Sequence, residues 1–203
     1  MGNTKEAILM TALRLFAKDG YEAVSVSMIA GALGMTKGAL YKHYKNKRDI
    51  FDSIVERMYQ VDAERAQQYD VPEETYETAP ETYNGISKES IRSFTLAQFT
   101  FWTEDEFASN FRRMLALERY RNAEMAKLYD NCLTAGPVSY MKDIFRKMQP
   151  EKGISDADAE LLAMEFYAPL YLLIQVYDLN GDQEHAVKML ERHVESFLNE
   201  WIR

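Results

Sequence analysis

Between Thr36 and Arg48 the sequence TKGALYKHYKNKR carries five cations, Lys37, Lys42, Lys45, Lys47 and Arg48, and no acid. Thr36, Lys37, Tyr41 and His43 add hydrogen-bonding groups able to reach base edges or phosphate oxygens. Gly38 keeps the backbone slim where a duplex would press against it. A bland alternative is a solvated basic face, but an acid-free run of this density is out of place in a chain of net charge −8. The chemistry this stretch suits is contact with a polyanion.

The elements that would position these groups can be read on either side of them. Ser25 is placed to cap a short helix with Ile29, Ala30 and Leu33 on its apolar stripe. Gly34 ends that helix, because glycine takes the left-handed position past a helix end at no steric cost. Thr36 caps a second helix with Ala39 and Leu40 turned inward, and two short helices around a glycine turn form a helix-turn-helix. Asn46 and Asp49 form a capping pair for the next helix. Ahead of them, a first helix over about 5–19 has Asn3 and Glu6 as its caps and Ile8, Leu9, Ala12, Leu15 and Phe16 as its core stripe.

Charge is unevenly divided. Residues 1–59 hold nine Lys/Arg against six Asp/Glu, a net of +3, and residues 60–203 hold fifteen against twenty-six, a net of −11. A basic head on an acidic body directs phosphate contact to the head.

Other chemistries lack their parts. His43, His185 and His193 are the only histidines, and none has the spacing of a metal site. The run Asp178–Glu184 resembles a calcium loop only faintly, because its glycine is misplaced and Met189 stands where an acid should close the loop. Phosphate-binding, dinucleotide-binding and nucleophile-elbow glycine patterns are missing, so neither a cofactor nor an enzymatic activity is expected. Cys132 is alone, which excludes an intrachain disulfide. With no membrane-length uncharged apolar window and no signal-peptide core, a cytoplasmic protein without a membrane partner is expected.

Residues 4–59 resemble the DNA-binding domain of the tetracycline-repressor (TetR) family. The resemblance is carried by Phe16-Ala17, Gly20-Tyr21, Ser25-Val26, Ile29-Ala30, Gly34, Lys37-Gly38, Leu40-Tyr41, His43-Tyr44, Asn46-Lys47 and Ile50. Met28 departs from the pattern, since the family often has an acid there to close a capping box with Ser25. The resemblance implies an all-α protein of about nine helices, with a helix-turn-helix domain over 1–48, a linking helix over 47–68 and a helical ligand-binding and dimerisation body over 49–203. The expected DNA-contacting set is Ser25, Thr36, Lys37, Gly38, Tyr41, Lys42, His43 and Lys47. Thr36 and Lys37 would meet base edges; Tyr41, Lys42, His43 and Lys47 would hold the backbone.

The body reads as successive helices. Residues 70–86, with Pro72, Pro80, Gly85 and four glutamates, read as a solvated acidic loop. Gly136-Pro137 should kink or interrupt a helix begun near Asn122, and the QPEKGISD segment is a break. Two regular helices over about 156–179 and 183–202 close the chain, the first kinked at Pro169, with more apolar surface than one small body can bury. They resemble the family's paired dimerisation helices, so a homodimer on a palindromic operator is expected. Phe99, Trp102, Phe111, Met114, Tyr140, Tyr167 and Tyr171 suit either a bundle core or a cavity for a largely apolar or aromatic effector, with Arg113, Glu118 or Arg121 as polar anchors. Together these features predict a transcriptional regulator, a repressor released from DNA by a small molecule. An activator, an effector-independent DNA binder, or a helical small-molecule-binding protein without a DNA role shares parts of the pattern.

Overall fold

The computed structural model describes residues 2–72, 78–83, 85–148 and 155–201. Among them the chain is all-α, with ten α-helices and one short 3-10 helix, Pro80–Tyr83. In order the helices are α1 Gly2–Asp19, α2 Val26–Ala32, α3 Lys37–Leu40, α4 Lys47–Gln68, α5 Lys88–Glu104, α6 Glu106–Glu118, α7 Ala123–Leu133, α8 Ala135–Met148, α9 Asp156–Asn180 and α10 Gln183–Trp201. The chain divides into two compact units, one of residues 1–61 and 104–129, the other of 62–103 and 130–203. Both α4 and α7 run from one unit into the other.

Local capping sets most of the helix starts. Asp105 Oδ1 accepts from Ala108 N at 2.8 Å, Asn122 Oδ1 from Met125 N at 3.1 Å and Asp182 Oδ1 from His185 N at 3.0 Å. Ser87 Oγ accepts from Ser90 N and Ser155 Oγ from Asp158 N. Each satisfies a helix-end amide that has no intrahelical partner. The expected Asn3–Glu6 cap is not where the helix starts: α1 begins at Gly2, which puts Asn3 inside it, and Glu6 pairs with Arg57. The break at 149–154 lies outside the described residues. At Gly136-Pro137 the chain does interrupt: α7 ends at Leu133 and α8 starts at Ala135. Pro137 thereby falls in the first turn of α8, where no intrahelical bond is asked of its nitrogen.

In the first unit α1 packs on both α2 and α6. Ile8, Leu9, Ala12, Leu13 and Phe16 are buried, while Leu15 is only half-buried. The expected stripe included Leu15 and omitted Leu13. A helix covered from two sides buries a broader face than a single amphipathic stripe, and Leu13 lies on that added width.

In the second unit α9 packs on α8 and on α10. Phe145, Phe166 and Phe197 meet at its centre, with ring centroids 5.1 to 5.5 Å apart. Pro169 lies inside α9, which remains one helix to Asn180 and ends on Gly181 at φ 66°. The stretch Asp158–Asn180 is long and apolar enough to cross a membrane by length and composition. One face, including Ala159, Ala163, Phe166, Leu170 and Ile174, is buried within the unit.

The stretch read as a solvated acidic loop needs correction. Val71, Ala79 and Tyr83 are buried, and Tyr140 Oη donates to Pro72 O at 2.9 Å. Its apolar residues serve as a cover for α8, and 73–77 with 84 lie outside the described residues. In the sequence, the surrounding acids and prolines mask the apolar role of Tyr83.

Candidate nucleic-acid interface

The surface under Thr36–Lys42 is built by short-range bonds. Ser25 is extended at φ −103° and ψ 158°, and its Oγ accepts from Met28 N at 3.3 Å. With methionine at 28 in place of an acid, nothing answers this bond from the other side. At the far end of α2, Met35 N donates to Ala30 O and Gly34 N to Gly31 O, both at 3.0 Å. Gly34 has φ 63°. This is the doubly bonded helix stop that glycine permits. Thr36 Oγ1 then accepts from Ala39 N at 3.2 Å and opens α3, a single turn continued by tight turns through His43.

α3 turns Leu40 into the core and leaves the opposite side open. Thr36, Lys37, Gly38, Tyr41 and Lys42 are exposed, His43 is half-buried, and Tyr41 keeps 49% of its surface. Gly38 does not have a positive φ, and an added Cβ would meet only Thr36 Oγ1 at 3.9 Å. Nothing inside the fold calls for glycine there.

The five cations take different roles. Lys37, Lys42 and Lys45 are exposed, and among the described residues their side chains have no partner. Lys47 Nζ donates to Tyr21 O at 2.8 Å and sits 4.2 Å from the Tyr21 ring centroid. Arg48 is bidentate to Glu124 at 2.6 Å and also donates to Asp52 at 2.6 Å. These bonds, first those from Arg48, hold the Glu124 carboxyl below its usual value. Lys47 and Arg48 thus brace the basic surface from behind. Tyr44 is buried with its hydroxyl donating to Lys5 O at 3.3 Å, and burial, then Glu6, push that phenol up to about 12.

The start of α4 holds the corner. Asn46 Oδ1 accepts from Asp49 N at 2.9 Å, while Asp49 Oδ2 accepts from Lys45 N at 2.8 Å. The expected capping pair is therefore present, with the return bond reaching one residue further back. Asn46→Ala is expected to cost about 1 kcal/mol, the ordinary value of a cap. Thermal unfolding checks it, and an unchanged midpoint would contradict the assignment.

Residues 8–54 match the model of the bacterial regulatory proteins of the tetR family. The head of the chain is thus similar to the DNA-binding part of that family, over about a quarter of the chain. Over 53 residues it is 47% identical to the HTH-type transcriptional regulator AcrR of Shigella flexneri, covering 26% of this chain and 25% of that protein. Over 54 residues it is 41% identical to the class C tetracycline repressor of Escherichia coli, covering 27% and 25%. These matches span about a quarter of the relatives' lengths. Across the whole chain the likeness is one of fold. A TetR-family regulator from Bordetella parapertussis superposes with a TM-score of 0.69 at 17% identity, over 98% of this chain and 96% of that one. SmeT, the repressor of the Stenotrophomonas maltophilia multidrug efflux pump SmeDEF, gives 0.63 at 18% identity, over 98% and 90%.

The residues proposed for a small molecule are distributed between the units. Phe111 and Met114 are buried in the first, with Phe111 stacked on Phe107 at 6.4 Å. Phe99, Trp102, Tyr140, Tyr167 and Tyr171 belong to the second. There Tyr167 Oη donates to Leu133 O at 3.0 Å, and Phe99 meets Tyr177 edge-on at 5.9 Å. Arg113 and Arg121 are exposed, whereas Glu118 is buried, with its Oε1 3.4 Å from Glu22 N. Cys132 is half-buried, and burial, then Asp62, push its thiol up to about 12. Among the described residues no group of three His, Cys, Asp or Glu is placed to hold a metal.

Proposed function

We propose that this chain is a sequence-specific DNA-binding transcriptional regulator, a repressor that leaves its operator when a small molecule occupies the second unit. The observation that carries the reading is the exposed surface of Thr36, Lys37, Gly38, Tyr41 and Lys42 on a capped helix-turn-helix, where Thr36 caps α3 and, among the described residues, the side chains of Lys37, Tyr41 and Lys42 have no partner. Lys37 and Thr36 address base edges. Tyr41, Lys42 and His43 address the backbone, while Ser25 and Lys47 hold the surface at its margins. The open space above Gly38 fits close approach by a duplex. Charge agrees: the first unit has fourteen Lys/Arg against eleven Asp/Glu, a net of +3, and the second ten against twenty-one, a net of −11.

The same reading includes a homodimer through α9 and α10. On α9, Leu161, Met164, Leu172, Val176 and Leu179 are exposed at helical spacings, Leu172 by 61% and Leu179 by 90%. Met189 is exposed on α10, beside a groove of about 600 Å³ lined by Arg192, His193, Ser196 and Asn199. An apolar face of this extent suits a second copy related by a two-fold axis, which in turn suits a palindromic operator. α4 is continuous from Lys47 to Gln68 and supplies the route by which occupancy of the second unit is felt at the head. A coupling of about 1–3 kcal/mol changes operator affinity by roughly 5–150-fold.

Leu172→Glu tests the reading. Sedimentation is expected to show the wild-type chain at twice 23.6 kDa and the variant at 23.6 kDa. With only one half-site held at a time, binding of a palindromic duplex should fall by about 10²-fold or more. A variant that stays dimeric and binds as before would remove α9 from the interface. A wild-type chain that binds no duplex would remove the function.

A further inference from the structure

Tyr44 ties the first turn of α1 to the turns that follow α3. Its hydroxyl donates to Lys5 O at 3.3 Å, thirty-nine residues back, and Lys5 Nζ lies 5.2 Å from the centroid of its ring. Tyr44 directly follows Lys42 and His43. His43 N donates to Leu40 O at 2.9 Å and Tyr44 N to the same oxygen at 3.2 Å, so these residues stand within one turn of each other. The start of α1 therefore borders the exposed basic surface, a neighbour that sequence order conceals.

Lys5 has a charge to offer there. It is exposed, and among the described residues no carboxylate pairs with its ammonium and no acceptor takes its N–H groups. The two acids whose fields reach Tyr44 are both engaged, Glu6 by Arg57 and Asp49 by Lys45 N at 2.8 Å. The Tyr44 ring steadies the lysine by attraction to the whole ammonium and leaves its three donors open. Rotamer freedom that a further contact would remove is thereby already reduced. Lys47 lies over Tyr21 in the same manner, at 4.2 Å, but its ammonium also donates to Tyr21 O and Glu22 O. Lys18 is exposed too, in the last turn of α1, about 20 Å along the axis from Lys5.

We infer that Lys5 is a further DNA contact, meeting a phosphate of the duplex backbone beside the stretch engaged by Thr36–Lys42. Such a contact fixes position on the duplex and carries no sequence preference. The inference rests on the reading of the head as the DNA-binding part, and it adds a residue from outside the helix-turn-helix.

Because the contact is to phosphate, mixed-sequence duplex DNA serves as the probe and the operator need not be known. Anisotropy titrations of the full chain at several salt concentrations give the slope of log affinity against log salt. Lys5→Ala is expected to flatten that slope by about 0.9 per engaged protomer, roughly 2 for a dimer. Affinity near physiological salt should fall about tenfold. Lys5→Arg keeps the charge and should retain both quantities, and Lys18→Ala should leave the slope unchanged. A Lys5→Ala chain with the wild-type slope would overturn the inference. So would an equal loss in Lys18→Ala, since net charge and not position would then be at work. A wild-type chain that binds duplex with no dependence on salt would instead sink the reading of the head, and Lys5 with it.

Discussion

Lys37→Ala combined with Lys42→Ala is expected to weaken duplex binding on the order of 10²-fold near physiological salt and to flatten its salt dependence. Both ammonium groups are exposed, and among the described residues neither has a partner. Each phosphate neutralised contributes about 0.9 to the slope of log affinity against log salt, so two lysines on each of two protomers account for roughly 3–4 of it. Arg48→Ala is the control. Its guanidinium is already matched by Glu124 and Asp52, so its loss should leave the slope nearly unchanged. Anisotropy titrations at several salt concentrations read both quantities. Equal slope losses in the lysine and arginine variants would mean that charge on this surface acts without regard to position.

Gly20→Val is expected to destabilise the chain by about 2–4 kcal/mol and to lower its melting temperature by roughly 5–12 °C. Two causes combine. Gly20 ends α1 with φ 87°, a left-handed conformation that a β-branched residue adopts only under strain. An added Cβ would also stand 2.6 Å from Glu118 Oε1, and the Glu118 side chain is buried, so it cannot swing into water. Glu118→Ala should recover the second part of the cost and not the first. A cycle of the single and double variants isolates the coupling. A Gly20→Val cost unchanged in the Glu118→Ala background would mean that backbone strain accounts for all of it.

The carboxylate of Glu118 is itself poorly satisfied. Among the described residues its buried Oε2 has no hydrogen-bond partner, and Oε1 receives the long bond from Glu22 N. A buried acceptor in that position is costly. Glu118→Ala alone removes that cost while leaving Glu22 N–H without its partner, which makes the variant a mild background for the cycle.

The head was legible because its determinants are local. Ser25 with Met28, Thr36 with Ala39 and Asn46 with Asp49 are pairs three residues apart, so their caps follow from spacing. The roles of Lys47 and Arg48 were not legible in the same way. Lys47 is engaged by Tyr21, twenty-six residues earlier, and Arg48 by Glu124, seventy-six residues later. A run of cations shows how many charges there are, and only tertiary packing shows which are left for DNA.

The body yielded less for a related reason. Aromatic and methionine side chains are the same whether they fill a core or line a site, so composition grouped Phe111 and Met114 with Tyr140. The fold divides them, because α6 belongs to the first unit and α8 to the second. Tyr83 carries no signal that sets it apart in the sequence, because it lies in a stretch dominated by acids and prolines.

DNA recognition by the head is tested by selection from a random-sequence duplex pool, carried out at two salt concentrations with the purified chain. The expected result is enrichment of a palindrome whose half-sites are separated by one helical turn or a multiple of it, with affinity falling steeply as salt rises. Salt-sensitive retention of the pool with no sequence enriched would contradict that reading and reduce the Thr36–Lys42 surface to a general polyanion patch.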